Sequence, residues 1–386
     1  MIKTLFTTLL IFFLNTNLYA DQGISDNEIL IGMHTDLSGP VSMVGNQSAE
    51  GAKMRFAEFN ENGGAYGRKI KFIVEDHQYT VPRAVQAANK LLRKDKVAIL
   101  LGSLGTPQNN AVLTDQLKLN VPNLFPLTAA RSMFEPFHKL KFTTGPTYYD
   151  QIRTAIDYFY LEKGKTRFCL LYEDTDFGQE IVDGTNDQLD SLGLELIEHA
   201  SAKPTDTDFT SQINKLKKAD CEVIAMGTNV RTSILPYMKA RGINWNEVDF
   251  VATSATYFGV LAEQPNSIMD GFYCLNGIVF PYYDSATIDQ RIWWDKYKDL
   301  YDRDPNTGSL YGYVFADILI KTIKDSGKDL TIDKIVSSFE AIENFDFPLD
   351  AGTATFGKNI RQGSNISYLF QVKDQRFNVV SGPIAY

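Results

Sequence analysis

Apolar residues along the chain fall into two alternating patterns. Short unbroken runs such as Val97-Ala-Ile-Leu-Leu101 suit strands buried on both faces, as in a parallel sheet. Between them lie stretches with apolar residues three and four positions apart, which suit helices. The pattern predicts strands at Glu28–Met33, Lys69–Glu75, Val97–Leu101 and Pro122–Phe125. It predicts helices from about Ser48 to Asn60, with Ala49, Ala52, Phe56 and Phe59 on one face, and from Pro82 to Lys94, with Val85, Ala88, Leu91 and Leu92 together. Gly63-Gly64 ends the first of these. Strand and helix in alternation imply right-handed crossovers and a parallel sheet.

Around Phe142–Pro146 the rhythm pauses and a second series begins. Strands are predicted at Arg167–Tyr172, Leu194–His199, Cys221–Met226, Val248–Val251 and Gly271–Ile278, and helices at about Tyr149–Lys163 and Asp208–Lys218. Long helices follow at Ser309–Asp325 and Thr331–Ile342, then a β-rich tail with Gly352–Gly357 and a strand at Ile366–Lys373. This remainder is too small for a third domain and is expected to spread over the first two. The fold class is therefore α/β: two Rossmann-like lobes with parallel sheets, joined by a three-crossover hinge near 143–147, 277–282 and 343–348. Lobe 1 takes residues 21–143 plus 279–344, and lobe 2 takes 144–278 plus 345–386. Several crossings between two lobes make a cleft that can close.

Residues 1–20 read as a cleaved secretory signal: Lys3, an apolar stretch from Leu5 to Leu14, and Leu18-Tyr19-Ala20 ending on a small residue. No Cys stands at the cleavage site, so no lipid anchor is expected there, and the mature protein is placed in the periplasm. The formal charge is −9, and losing Lys3 with the leader makes it one unit more negative. Such acidity argues against nucleic acid or an anionic membrane as partner. Cys169, Cys221 and Cys274 show no CxxC or metal-ligand spacing, and are read as buried free thiols, with one disulfide as the alternative. His34, His77, His138 and His199 are scattered, and no hydrolase, zinc or phosphate-binding motif is present. No metal and no cofactor is expected. Asp174 and Asp176 read equally as an acid–base pair or as helix-capping residues.

What the strand ends do carry is neutral hydrogen-bond donors. After Leu101 come Gly102, Ser103 and Gly105, then Thr106-Pro107, a helix-start signal with Thr as cap and Pro at the first helical position. A strand, a glycine-rich turn and a helix N-terminus attract an anion. Leu127-Thr128 repeats the idea, so two neighbouring donor sites could share one carboxylate. Thr228/Asn229 and Thr253/Ser254 stand at later strand ends. For all of them simple helix capping is the alternative. Tyr148, Tyr149, Phe177, Tyr257 and Tyr311 lie close to these turns, as walls for an amphipathic solute or as core.

The order and spacing of several short motifs resemble one family. They are Leu37-Ser-Gly-Pro40 with Gly45, Gly51-Ala52, Asn60-Glu-Asn-Gly-Gly-Ala-Tyr-Gly67, Glu75-Asp76, Pro82 with Ala87-Ala-Asn-Lys90-Leu, Ala98–Thr106, Asp174–Gly178, Asp208-Phe209 and Gly352–Gly357. Over essentially all of residues 27–386 the chain resembles the branched-chain amino-acid-binding type of periplasmic solute-binding protein. The resemblance implies a non-enzymatic protein that closes on a small solute and delivers it to an ABC permease, acting as a monomer. A carboxylate site of Thr106 and Thr128 is implied, with backbone help near Leu104, Gly105 and Leu127. Phe177 stands where members often carry a ligand-packing Tyr; Thr228 and Asn229 stand at a second-lobe contact, and Val44 at a first-loop contact. With Tyr149, Ser254, Tyr257 and Tyr311 these complete the candidate ligand-binding set. One departure stands out: the Glu that accepts the ligand ammonium in leucine-binding members is replaced by Ser254, with no acid from Thr253 to Thr256. The ligand is thus an amino acid whose ammonium meets another acid, or a small organic acid, aromatic or not, without one. Presentation of the solute to a sensor or chemoreceptor is the alternative to uptake, and a two-lobe α/β enzyme is the third reading.

Overall fold

The computed structural model describes residues 21–386, so the proposed signal lies outside the described residues. The first series forms β1 (Glu28–Thr35), α1 (Ser42–Glu61), β2 (Lys69–Asp76), α2 (Val81–Asn89), β3 (Ile99–Leu101), α3 (Thr106–Lys118), β4 (Asn123–Leu124) and β5 (Lys141–Phe142). Its five strands lie in the order β2-β1-β3-β4-β5, all parallel. The second series forms α4 (Tyr148–Leu161), β6 (Phe168–Glu173), α5 (Asp176–Ser191), β7 (Glu198–Ala202), α6 (Thr210–Lys218), β8 (Val223–Gly227), α7 (Val230–Gly242), β9 (Asp249–Ala252), α8 (Gly259–Ala262) and β10 (Tyr273–Asn276). Then come α9 (Ile288–Tyr301), α10 (Thr307–Asp325), α11 (Ile332–Glu340), the short β11 (Phe345–Asp346) and β12 (Thr353–Ala354), and the closing hairpin β13 (Ile366–Lys373) and β14 (Arg376–Ala385).

The second sheet has seven strands in the order β14-β13-β10-β9-β8-β6-β7. It is parallel from β7 to β10, and β13 and β14 add antiparallel strands to one edge. The parallel strands are buried on both faces: β3 and β8 carry no exposed residue, as their unbroken apolar runs predict. β7 begins four residues later than Leu194, because its edge position leaves alternate residues in solvent. α9 was not anticipated. It buries Gln290, Trp293 and Tyr297 but leaves Ile288, Ile292 and Leu300 exposed, which erases a helical stripe.

α9, α10 and α11 return to the first sheet and share one core with it, from Ile29 and Ile31 to Leu319 and Phe339. α10 packs along α1, and glycines allow their close approach: a Cβ at Gly51 would run into the Ser309 carbonyl, and one at Gly312 into that of Ser48. Phe347, Ala351, Ala354 and Phe356 belong to this same core. The third passage between lobes is therefore not near 343–348. It falls close to 362–366, where Thr143 N donates to the Arg361 carbonyl and Gly363 N to the Thr143 carbonyl. Residues 345–356 sit with lobe 1, because Phe356 packs against Phe125, Phe142 and Phe339 and Phe347 joins the same core.

The cysteines also differ from expectation. Cys169 and Cys221 form a disulfide, with Cα atoms 5.8 Å apart, and only Cys274 is a buried free thiol. Cys169 lies on β6 and Cys221 just before β8, and the pairing of those strands brings them together.

A cleft between the lobes

In each sheet the strand order reverses direction at one point, beside β1/β3 and beside β6/β8. Loops leaving the carboxyl ends of strands on the two sides of such a point diverge and open a crevice. The two crevices face each other and enclose a cavity of about 470 Å³. Its walls come from both lobes and from all three crossing segments, including Thr144–Pro146, Gly277–Val279 and Ser364.

The loop after β3 decides one wall. Gly105 has φ +97°, and a Cβ there would strike the Gln108 side chain. It is Gly105 and not Thr106 that stands before the first turn of α3, so Thr106 is the first helical residue and Pro107 the second. The Thr106 hydroxyl is consequently not spent on capping. It lies 2.6 Å from the Thr128 hydroxyl, and Thr128 Oγ1 also accepts from Ala130 N at 3.3 Å. One proton bridges the two threonines, which leaves the other hydroxyl proton for a ligand. The expected backbone donors are differently placed. Leu104 N donates to His34 O, Gly105 N to Leu127 O and Leu127 N to Ser103 O, so these three N–H groups are already used. The Thr106 N–H sits at the start of α3, where no intrahelical acceptor exists. Together with the hydroxyls it makes an anion site at a helix N-terminus.

Lobe 2 supplies the opposite wall. Phe177, on the first turn of α5, meets Tyr148 edge-on with ring centroids 4.9 Å apart. Asn229 caps α7 through its side-chain oxygen and donates to Glu173 Oε1 at 2.6 Å. Glu173 also accepts from Asn229 N and Thr232 Oγ1, and its burial pushes its carboxyl upward. It lies behind the wall and is engaged with α7. Gln151 clamps Ser254, accepting from Ser254 N at 2.6 Å and donating to Ser254 Oγ at 3.0 Å. The Ser254 hydroxyl proton then remains to donate. Tyr311 donates to Asn276 Oδ1 at 2.6 Å. Burial raises the Tyr148 phenol to about 12 and the Tyr79 phenol well above its ordinary value, so both stay neutral.

Of the candidate residues, Val44, Leu104, Gly105, Thr106, Leu127, Thr128, Phe177, Asn229, Ser254 and Tyr311 line the cavity. Three do not. Tyr149 points away along α4, donating to Asp187 Oδ2 and stacking under Arg131; its neighbour Tyr148 faces the cavity instead. Thr228 is buried against Ser233. Tyr257 fills the lobe 2 core against Phe370 and Phe377, its hydroxyl accepting from Phe280 N. Asp176 begins α5 beside the cap Thr175 and accepts from Asn110 Nδ2, so it forms no acid–base pair with Asp174. Tyr79, Gln151, Phe258, Ile278 and Phe315 also line the cavity. No motif marks them; they follow strand ends or face inward from helices.

The lobes meet at the rim of this cavity. Val41, Val44 and Leu104 of lobe 1 pack with Phe258 of lobe 2 into one buried apolar cluster. Beside it, Arg131 of lobe 1 donates to Glu180 at 2.9 Å and to Asp183 at 2.8 Å on α5 of lobe 2. Asn110 donates across the gap to Asp176 at 2.8 Å.

Two α/β lobes clasping a cavity that three chain crossings border define a two-lobed solute-binding protein. The family model described as periplasmic binding protein matches residues 28–376, and the chain belongs to that family, with its type I two-lobe fold. Among sequence relatives, "Leu/Ile/Val-binding protein homolog 8" of Brucella abortus is 22% identical over 86% of this chain and 85% of its own. The fold is shared with a fatty acid ABC transporter substrate-binding protein from Thermomonospora curvata (TM-score 0.85, 21% identity, 95% of each chain). It is also shared with a branched chain amino acid ABC transporter from Thermus thermophilus with bound valine (TM-score 0.84, 16% identity, 94% of this chain and 98% of the other). Among the described residues no helix is long and apolar enough to cross a membrane, and no group of potential metal ligands occurs.

Proposed function

We propose that this chain is the extracytoplasmic binding component of an ABC uptake system, which closes its lobes around a small organic solute bearing a carboxylate and hands it to a membrane permease. The observation that carries the reading is the Thr106–Thr128 hydroxyl pair at the N-terminus of α3, at a cavity between two lobes. Neutral donors and a helix N-terminus can hold a carboxylate in a closed cleft without a buried cation. The compounds in the names of its relatives and neighbours, leucine, isoleucine, valine and fatty acids, all carry a carboxylate. The Cys169–Cys221 disulfide suits an oxidising compartment such as the periplasm.

A thermal-shift screen of residues 21–386 against amino acids, aromatic acids, aliphatic acids and amides tests this. A ligand that binds only the folded state raises the melting temperature. Carboxylates should do so, and Thr106→Ala with Thr128→Ala should abolish the shift. Stabilisation by amides alone overturns the carboxylate reading.

A further inference from the structure

The cavity is larger and more apolar than a branched-chain amino acid requires. Leucine has nine non-hydrogen atoms; even at a full water share of roughly 30 Å³ each it takes about 270 Å³ of the roughly 470 Å³ present. On one side Val41, Val44 and Leu104 close on Phe258. The wall also includes Phe315, Ile278 and Phe347 and reaches Gly352, Thr353 and Pro383, which are exposed. The cavity thus combines a polar site at Thr106 and Thr128, an apolar lining, and a solvent-facing edge at Gly352, Thr353 and Pro383.

The charges fit one kind of guest. Among the described residues Asp350, at the exposed edge, is the only carboxylate that lines the cavity, and no Lys or Arg lines it. An ammonium next to a carboxylate at Thr106 would need a charged acceptor close by. The side-chain acceptors Ser254 Oγ and Asn276 Oδ1 are neutral and already partly engaged, accepting from Gln151 Nε2 and Tyr311. Glu173 lies behind the wall, held by three donors at the start of α7. Burying an unpaired ammonium is costly, whereas burying methylenes along Ile278, Phe315 and Phe347 is favourable.

We infer that the ligand is an amphipathic monocarboxylate without an ammonium group, its head at Thr106 and Thr128 and its unbranched apolar tail running through the cavity to the hinge. The inference rests on the carboxylate reading proposed above and adds the nature of the rest of the solute. An acid of ten carbons, at roughly 30 Å³ for each non-hydrogen atom, takes about 360 Å³, nearer the roughly 470 Å³ present than leucine comes. The tail, not the head, then supplies most of the selectivity.

Calorimetric titration of residues 21–386 with butanoate, hexanoate, octanoate, decanoate, 2-aminooctanoate and 1-octanol tests it. Each added methylene should tighten binding roughly three- to fourfold, so octanoate should exceed butanoate by about a hundredfold or more. 2-Aminooctanoate and 1-octanol should each bind at least tenfold more weakly than octanoate. Ile278→Trp, on the apolar lining, and Thr353→Trp, at the exposed edge, should each lower the ratio of decanoate to butanoate affinity by tenfold or more. Thr353 is on the surface, so that variant guards against a folding defect in the other. If 2-aminooctanoate binds more tightly than octanoate, or chain length adds nothing, the inference is overturned while the carboxylate site stands, and Glu173 becomes the ammonium acceptor to examine. If no carboxylate of any length binds, the inference falls with the functional reading beneath it.

Discussion

Acid should weaken this protein through one histidine that the cleft does not use directly. His34 lies near the end of β1, its carbonyl accepting from Leu104 N of the ligand loop, with no exposed surface, and neither ring nitrogen has a partner among the described residues. Burial, and secondarily the charge of His77, pushes His34 down to about 3. The His77 ring lies 5.6 Å away, donating to the Leu104 carbonyl at 3.1 Å and accepting from Tyr79 N. In the unfolded chain His34 takes a proton near its ordinary value of about 6.5. Folded His34 refuses it until about 3. The stability this lends is fully present above the unfolded value and is lost as pH falls from there toward the folded one. Between pH 7 and pH 5 the unfolded state gains roughly 2 kcal/mol from His34 alone, and His77, also lowered by burial, adds in the same direction. Urea denaturation of the wild type and His34→Leu at pH 7.5, 6 and 5 measures this. The substitution sacrifices no hydrogen bond of the ring, so the variant should match or exceed the wild type at pH 7.5 and lose about 2 kcal/mol less on going to pH 5. Parallel pH profiles for the two proteins would refute the reasoning.

Three further outcomes follow from the cleft and its surroundings. Thr106→Ala should weaken carboxylate binding by about 1–3 kcal/mol with little change in melting temperature, since Thr106 does not cap α3; calorimetry and thermal melts separate the two effects. Arg131→Ala removes the bonds to Glu180 and Asp183, so ligand-free protein should show a larger radius of gyration by small-angle scattering and a several-fold lower affinity; an unchanged radius would deny Arg131 any part in closure. Replacing Cys169 and Cys221 by Ser opens a 52-residue separation and should cost up to about 4 kcal/mol by loop-closure entropy, read by denaturant titration of oxidised and reduced protein.

Much of this architecture is legible in the order of residues because parallel strands buried on both faces leave unbroken apolar runs, as at Val97–Leu101 and Cys221–Met226. Where one face meets solvent the signal fades: β7 and α9 carry exposed apolar or alternating residues, and their limits were displaced or missed. The third crossing was misplaced because Phe347 and Phe356 are equally good core residues for either lobe, and only their packing in the lobe 1 core, Phe356 against Phe125 and Phe142, assigns them. In the cleft, turn chemistry pointed to Thr106 and Thr128, since glycines and a Thr-Pro pair mark a helix start. Their mutual bond, and the fact that Gly105 takes the capping place, depend on a positive φ that sequence alone does not show. Tyr148 and Tyr149 differ by one residue and by about 100° of helix rotation, enough to send one ring into the cleft and the other onto Arg131.

The three crossing segments are walls of the cavity as well as its joints. In most jawed devices the axle lies apart from the object gripped; here the object lies against the axle. Any rotation of one lobe must shift Thr144–Pro146, Gly277–Val279 and Ser364 relative to one another, so it reshapes the space it encloses. Cargo size and jaw angle are then one variable. A bulkier guest props the jaws at a wider set, and whatever docks across both lobes reads the cargo as an angle without touching it.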